Sequence, residues 1–168
     1  MERRLLEHGF GPFYRADSRL LILGSFPSAR SREEGFYYGH RQNRFWPVLA
    51  AVFGEAVPYG VPEKQSLLER CRVALYDVVE RCSIVGSSDA SIREVVPADL
   101  TKLLTGTRVE GRIFVNGKTA LRLWEKYQQP IWRCTAVCLP STSPANAAWR
   151  TDRLTQAWKE ALGAALGP

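Results

Sequence analysis

Four short strand-like runs, at 20–23, 73–79, 112–115 and 135–139, alternate along the chain with stretches of helical period, and that alternation limits the folds open to it. Strands separated by helices predict a mainly parallel sheet with helices packed on both faces. The predicted helices are 44–53, 63–70, 97–104, 118–127 and 151–166. In the first, Phe45, Val48, Leu49 and Val52 share a face, and Pro47 is tolerable because it falls in the first turn. The last repeats Leu154, Trp158, Ala161, Leu162 and Ala165 at helical spacing. Pro97 suits a first helical position. The fold class expected is α/β: a three-layer α/β/α sandwich around a central, largely parallel four-stranded sheet. The proline- and glycine-rich stretch 54–62 reads as a loop, so residues 1–168 are expected to form one domain.

Each strand-like run ends in polar or glycine-rich sequence: 24–43, then Asp77 with Ser87-Ser88-Asp89, then Asn116-Gly117-Lys118, then 140–146. In a parallel sheet these four segments lie on one edge, where open α/β sheets bind their ligands. They are predicted to line a single cleft. The first segment carries Phe26, Tyr37, Tyr38, His40, Gln42 and Asn43. Planar rings beside amides suit a nucleobase, which needs a stacking surface and hydrogen bonds along its edge.

Lys and Arg together number 23 against 17 Asp and Glu, a net charge of +6. The pI is near 9.4. That excess fits a polyanionic partner, and it fits equally a merely basic soluble protein, since no basic tail or dense cationic run is present. No apolar run approaches a membrane-spanning length and MERRLLEHGF has no signal-peptide core, so a soluble, cytoplasmic protein is expected, with no membrane partner. Cys71, Cys82, Cys134 and Cys138 form no C-x2-C pair. Cys134 and Cys138 fall on one face of a predicted strand but about 13 Å apart, too far to bridge. All four are expected to be buried, reduced thiols.

Several familiar motifs fail on spacing. Gly117-Lys118-Thr119 would need a glycine at position 112, which is arginine, so no phosphate loop is read there. Asn116-Gly117 reads instead as a strand-to-helix turn whose helix start could meet a phosphate. His40 lacks neighbours at metal spacing and is expected to order its loop; neither metal nor cofactor is expected. There is no Gly-x-Ser-x-Gly elbow. Asn43, directly before Arg44-Phe45-Trp46, reads by itself as a helix cap.

Taken together, Leu21-Ile22-Leu23-Gly24-Ser25-Phe26-Pro27-Ser28 and Phe36-Tyr37-Tyr38-Gly39-His40-Arg41-Gln42-Asn43-Arg44-Phe45-Trp46 resemble the first motif of the uracil-DNA glycosylase superfamily. The end of that block is similar to the mismatch-specific uracil/thymine-DNA glycosylases, and the segment from Leu139 to Ala147 occupies the place of the superfamily's second motif. Two positions depart from the mismatch-specific pattern. Phe26 stands where those enzymes have asparagine, and Leu139 stands where the superfamily usually has histidine or asparagine. Gly-Ser-Phe-Pro-Ser, Tyr-Tyr-Gly-His and Leu-Pro-Ser-Thr-Ser-Pro-Ala-Asn together resemble the hypoxanthine-DNA (DNA-deoxyinosine) glycosylase family.

The resemblance implies removal of a deaminated base from DNA, preferably hypoxanthine, by a monofunctional N-glycosylase with Asn43 as the catalytic residue. It implies that Tyr38 stacks on the extruded base and that residues 143–147 enter DNA. Breaking an N-glycosidic bond leaves negative charge on the departing base, which hydrogen-bond donors stabilise. An amide can donate to the base or accept from water, and it stays neutral at any working pH. Ser25, Phe26, Tyr38 and Asn116 are the expected base-binding residues; Lys118, Ser141, Ser143, Ala145, Asn146 and Arg150 are expected to face DNA. The partner expected is DNA containing a deaminated base, bound by a monomer. A uracil or mismatch glycosylase, and a catalytically silent DNA-binding relative, are the alternatives.

Overall fold

The computed structural model describes residues 2–167. In chain order the elements are β1 (Arg3–Glu7), β2 (Leu20–Gly24), α1 (Ala29–Glu34), α2 (Phe45–Phe53), α3 (Gly60–Cys71), β3 (Val73–Asp77), β4 (Val79–Val85), β5 (Arg93–Pro97), α4 (Thr101–Thr105), β6 (Ile113–Asn116), α5 (Lys118–Leu123), α6 (Gln129–Trp132), β7 (Val137–Leu139) and α7 (Thr151–Leu166). Four strands make a fully parallel sheet in the order β3-β2-β6-β7. Every residue of β2 and β3 is buried, as a parallel strand covered on both faces requires. α2 packs on α7, where Phe45 meets Trp158 edge-on with ring centres 5.7 Å apart. The expected four-stranded parallel α/β sheet is therefore present, and α7 has the expected limits.

A second sheet was not expected. β1, β4 and β5 pair antiparallel in the order β1-β4-β5. The apolar run 73–79 conceals it by joining two strands: β3 ends at Asp77, and the chain passes through Val78 into β4. The outer strands RRLLE and REVVP are largely exposed and carry charges, a common guard for sheet edges and a poor hydrophobic signal. Pro97 ends β5 rather than opening a helix; an edge strand accepts a residue with no N–H to donate. α4 begins only at Thr101, whose N–H donates to Asp99 Oδ1 at 3.0 Å.

The predicted helix 118–127 is α5 continuing into a π-helical turn, Trp124–Gln128, and then α6. Gln128 is wholly buried there and donates to the Val78 and Ala98 carbonyls at 3.2 and 2.8 Å. Cys71 and Cys82 are buried as expected, with burial pushing both thiols up to about 11. Cys134 is half-buried and Cys138 exposed: β7 begins only at Val137, so Cys134 precedes the strand and the two do not share a face of it. Among the described residues no helix is long and apolar enough to cross a membrane.

Candidate active site at the carboxyl edge of the parallel sheet

The carboxyl ends of the parallel strands open on one cleft of about 480 Å³. Gly24, Asp77 and Asn116, which close β2, β3 and β6, form its floor. The structure brings Ser25, Phe26, Tyr38, Asn43 and Asn116 together around it. Ser141, Ser143 and Ala145 line the opposite rim; Lys118, Asn146 and Arg150 lie outside it.

Asn43 lies one residue before the Arg44 cap of α2. Its side-chain oxygen accepts two hydrogen bonds, from the Phe45 N–H at 2.9 Å and from the Thr142 hydroxyl at 2.8 Å. A backbone N–H only donates, so the atom it meets must be Oδ1 and the amide orientation is fixed. Both lone pairs of that oxygen are occupied by protein donors. The Nδ2 group has no protein partner and is open to the cleft. Asn43 thus presents a donor, while its capacity to accept from water is already used.

Thr142, wholly buried, sets this orientation. Its N–H donates to Asn116 Oδ1 at 3.1 Å, and Asn116 Nδ2 donates to its hydroxyl oxygen at 2.9 Å. The hydroxyl proton is then left for Asn43. Asn116, expected as a base contact, lines the cleft, and its amide also clasps Thr142 from the end of β6. Thr142 is not among the expected site residues, since nothing at its place three residues beyond β7 sets its hydroxyl apart from those of the flanking serines.

Tyr38 is half-buried at the sheet's carboxyl edge with φ 52°. Its ring is stacked on Phe45, centres 4.0 Å apart and planes at 13°, so one ring face is occupied by the protein. Its hydroxyl is buried without a hydrogen-bond partner. Burial, followed by the charge of Asp77, pushes that phenol far above its ordinary pKa against the lowering effect of the nearby Asn116 amide, so it stays protonated. Tyr37 is a packing residue whose hydroxyl donates to the Gly11 carbonyl at 2.7 Å.

Phe26 contributes an apolar wall with the Arg32 guanidinium 6.0 Å from its ring centre. Ser25 donates to Asp89 Oδ1 at 2.9 Å, tying the 86–91 turn to the cleft. Desolvation raises the Asp89 pKa against the lowering effect of that hydrogen bond. His40 orders its loop, Nδ1 accepting from the Gln42 N–H at 3.1 Å.

The floor also holds a pair the sequence did not connect. His8, wholly buried, lies 2.7 Å through Nε2 from Asp77 Oδ2. β1 delivers it: Glu7 pairs with Arg81, and the His8 N–H then donates to the Glu80 carbonyl at 2.8 Å. Because this contact crosses from one sheet to the other, it has no signature in local sequence.

The 140–150 segment is stiffened from within. Ser141 Oγ accepts from the Ser143 N–H and Ser143 Oγ from the Ala145 N–H, leaving both hydroxyl protons free. Asn146 turns inward and donates to the Ser141 carbonyl at 2.9 Å. Arg44, overlooked in the sequence, donates to the Trp149 and Asn146 carbonyls. Gly117, at φ +99°, permits the close approach: a methyl there would lie 3.1 Å from Ser141 Cβ. Arg150 is exposed before α7, its Nε 3.6 Å from Asp152 Oδ1, and Lys118 is exposed at the start of α5.

A parallel sheet whose carboxyl edge holds an oriented amide donor, aromatic walls and a serine-rich rim has the parts of a base-excising site. The family model described as the uracil DNA glycosylase superfamily matches residues 12–164, and the chain belongs to that superfamily. It is a DNA glycosylase, and its substrate is DNA. The chain is 31% identical over 150 residues to a protein of Methanosarcina acetivorans named hypoxanthine DNA glycosylase, covering 89% of this chain and 94% of that one. A protein of the same name from Methanosarcina barkeri is 32% identical over 89 residues, 52% of this chain and 56% of its own. Among solved structures, a solution NMR structure of a candidate uracil DNA glycosylase from Methanosarcina acetivorans superposes with a TM-score of 0.74 at 26% identity. That match covers 95% of this chain and all of the other.

Proposed function

We propose that this chain removes hypoxanthine from DNA by hydrolysis, as a monofunctional glycosylase acting as a monomer. The observation that carries the chemistry is the Asn43 amide, whose oxygen is fully engaged by Thr142 and Phe45 while its nitrogen faces the cleft. The base preference rests on the name borne by the two Methanosarcina relatives.

The target nucleotide leaves the duplex and its base enters the cleft, whose volume lies within the roughly 300–1,000 Å³ usual for small-molecule sites. Phe26 and Tyr38 wall the base. The C1′–N9 bond then breaks with its electron pair passing to the base, leaving an oxocarbenium-like sugar. Asn43 Nδ2 donates to the developing negative charge, and because its orientation is set beforehand no reorganisation is needed during the reaction. Water adds to C1′ and sheds one proton, and that proton, carried through solvent to the departing base anion, lets hypoxanthine leave neutral. With both lone pairs of Asn43 Oδ1 occupied, the residue stabilises the leaving group and does not serve as a base. The Ser141 and Ser143 hydroxyls and the Lys118 and Arg150 cations would meet phosphates, which position DNA without reading its sequence. Arg44 and Asn146 hold that rim in shape.

The test is base release from labelled duplexes carrying deoxyinosine, deoxyuridine, deoxyxanthosine or a G·T mismatch at one position. Fastest release of free hypoxanthine, leaving an uncut abasic strand, is expected. Preferential release of uracil or thymine would assign the chain to another substrate. Tight binding with no release would make it a silent relative.

A further inference from the structure

We infer that His8 is a positioning residue and Asp77 a specificity-determining one: the pair presents a fixed carboxylate oxygen to the cleft floor, where it accepts the ring N–H of a lactam base. The inference rests on the base-excision reading above and adds how the site tells a deaminated base from adenine.

The geometry begins with the two sheets. Asp77 ends β3 in register with Gly24 of β2, and β4 starts two residues later. Asp77 is therefore the junction between the parallel and antiparallel sheets. Its side chain is only 6% exposed, and Oδ2 meets His8 Nε2 at 2.7 Å. An ionised carboxylate only accepts, so Nε2 carries the proton in that pairing. The neutral tautomer then leaves Nδ1 as a bare lone pair. That atom is buried without a partner, and the His8 ring lies between those of Phe10 and Tyr76, ring centres 4.5 and 4.6 Å apart. An unpaired lone pair in such surroundings is far cheaper than an unpaired cationic N–H.

The other carboxylate oxygen, Oδ1, has no protein donor and remains accessible from the cleft. It leans over Gly24, where an added methyl would come within 2.4 Å of it. The same methyl would lie 3.2 Å from the buried Tyr38 hydroxyl oxygen. The Asp77 oxygen is therefore the acceptor this floor offers, while the Tyr38 hydroxyl beside it is buried. A lactam edge carries the complement, a ring N–H, as in the N1–H of hypoxanthine. Adenine offers a bare N1 at that position. Its N1 lone pair would oppose the Asp77 oxygen. Sites built to hydrogen-bond a polar group can reject analogues that fail to match it by roughly 10⁴-fold or more.

His8 makes this reading unambiguous. It engages one carboxylate oxygen, so Asp77 cannot rotate away and always shows the other. In Asp77→Asn the same His8 donor would capture the amide oxygen and turn the NH2 group toward the base, reversing the pattern from acceptor to donor.

The test measures inosine excision by the full chain, with a 2′-deoxynebularine duplex as competitor. That base is a purine with a lone pair at N1 and no 6-oxo group, and its inhibition constant reports affinity whether or not it is released. Asp77→Asn should lower kcat/KM on inosine by about 10- to 100-fold, as for loss of a hydrogen bond to a charged group. It should also make the nebularine duplex a stronger competitor relative to undamaged duplex. His8→Leu should lower inosine excision, and His8→Gln, whose amide can still donate to Asp77, should recover most of it. A loss in Asp77→Asn with no change in nebularine competition would show that Asp77 acts on the chemistry and would overturn the inference. So would unchanged inosine excision. Equal loss in His8→Leu and His8→Gln would overturn the positioning role. Wild-type protein that releases no base at all would refute the base-excision reading and this inference with it.

Discussion

Replacing Thr142 by valine keeps the shape of the side chain and removes the hydroxyl that joins Asn43 to Asn116. Two hydrogen bonds are lost, at 2.8 and 2.9 Å, in a wholly buried position. At about 0.5–1.5 kcal/mol each, the stability loss should be about 1–3 kcal/mol. For a chain of this length that lowers Tm by roughly 2–4 °C per kcal/mol, so by several degrees in thermal unfolding. The effect on catalysis should be smaller than removing the amide. The Phe45 N–H still holds Asn43 Oδ1, and one of two anchors on the amide has gone. Losing about 1 kcal/mol of orientation should lower the single-turnover rate on a deoxyinosine duplex between about twofold and tenfold. Thr142→Ser, which restores the hydroxyl, should return the rate. A Thr142→Val protein with a lowered Tm and a wild-type rate would refute the claim that Thr142 orients the Asn43 amide for the proposed reaction.

Other consequences can be measured with the same duplexes. Gly24→Ala places a methyl 2.4 Å from Asp77 Oδ1 and 3.2 Å from the Tyr38 hydroxyl oxygen, so excision should fall sharply while affinity for undamaged DNA is kept; unchanged excision would mean the base does not reach this floor. Tyr38→Phe keeps the stack on Phe45 and removes the buried hydroxyl. It should slow hypoxanthine release by about two- to tenfold if the hydroxyl binds the base, and leave it unchanged if only the ring does. Arg150→Ala should weaken binding to all sequences alike and reduce the slope of log affinity against log salt by about one unit. An unchanged slope in quantitative binding would move the phosphate contacts elsewhere.

What the sequence disclosed follows from how each contact is made. β2, α2 and α7 are readable because their signals are local: a continuous apolar run, and a helical period carried by Phe45, Val48, Leu49, Leu154 and Trp158. The shared cleft is readable from parallel topology alone, since the carboxyl ends of such strands must fall on one edge. Asn43 stands out through its motif, but the use of its oxygen does not, because Thr142 lies 99 residues away. The antiparallel sheet is hidden for a different reason. Its outer strands are exposed and charged, and its central strand follows β3 with one intervening residue. His8 is invisible as part of the site for the same cause, since β1 carries it there.

The most direct test of the central claim is the single-turnover rate of hypoxanthine release by Asn43→Asp, set beside wild type and Asn43→Ala on one deoxyinosine duplex. If Asn43 donates to the departing base, an ionised aspartate cannot replace it, and both variants should be slower by about 10²–10³-fold, as for loss of a preorganised donor. If Asn43→Asp instead works at or near the wild-type rate while Asn43→Ala does not, the residue activates water, and the donor role assigned to its amide is wrong.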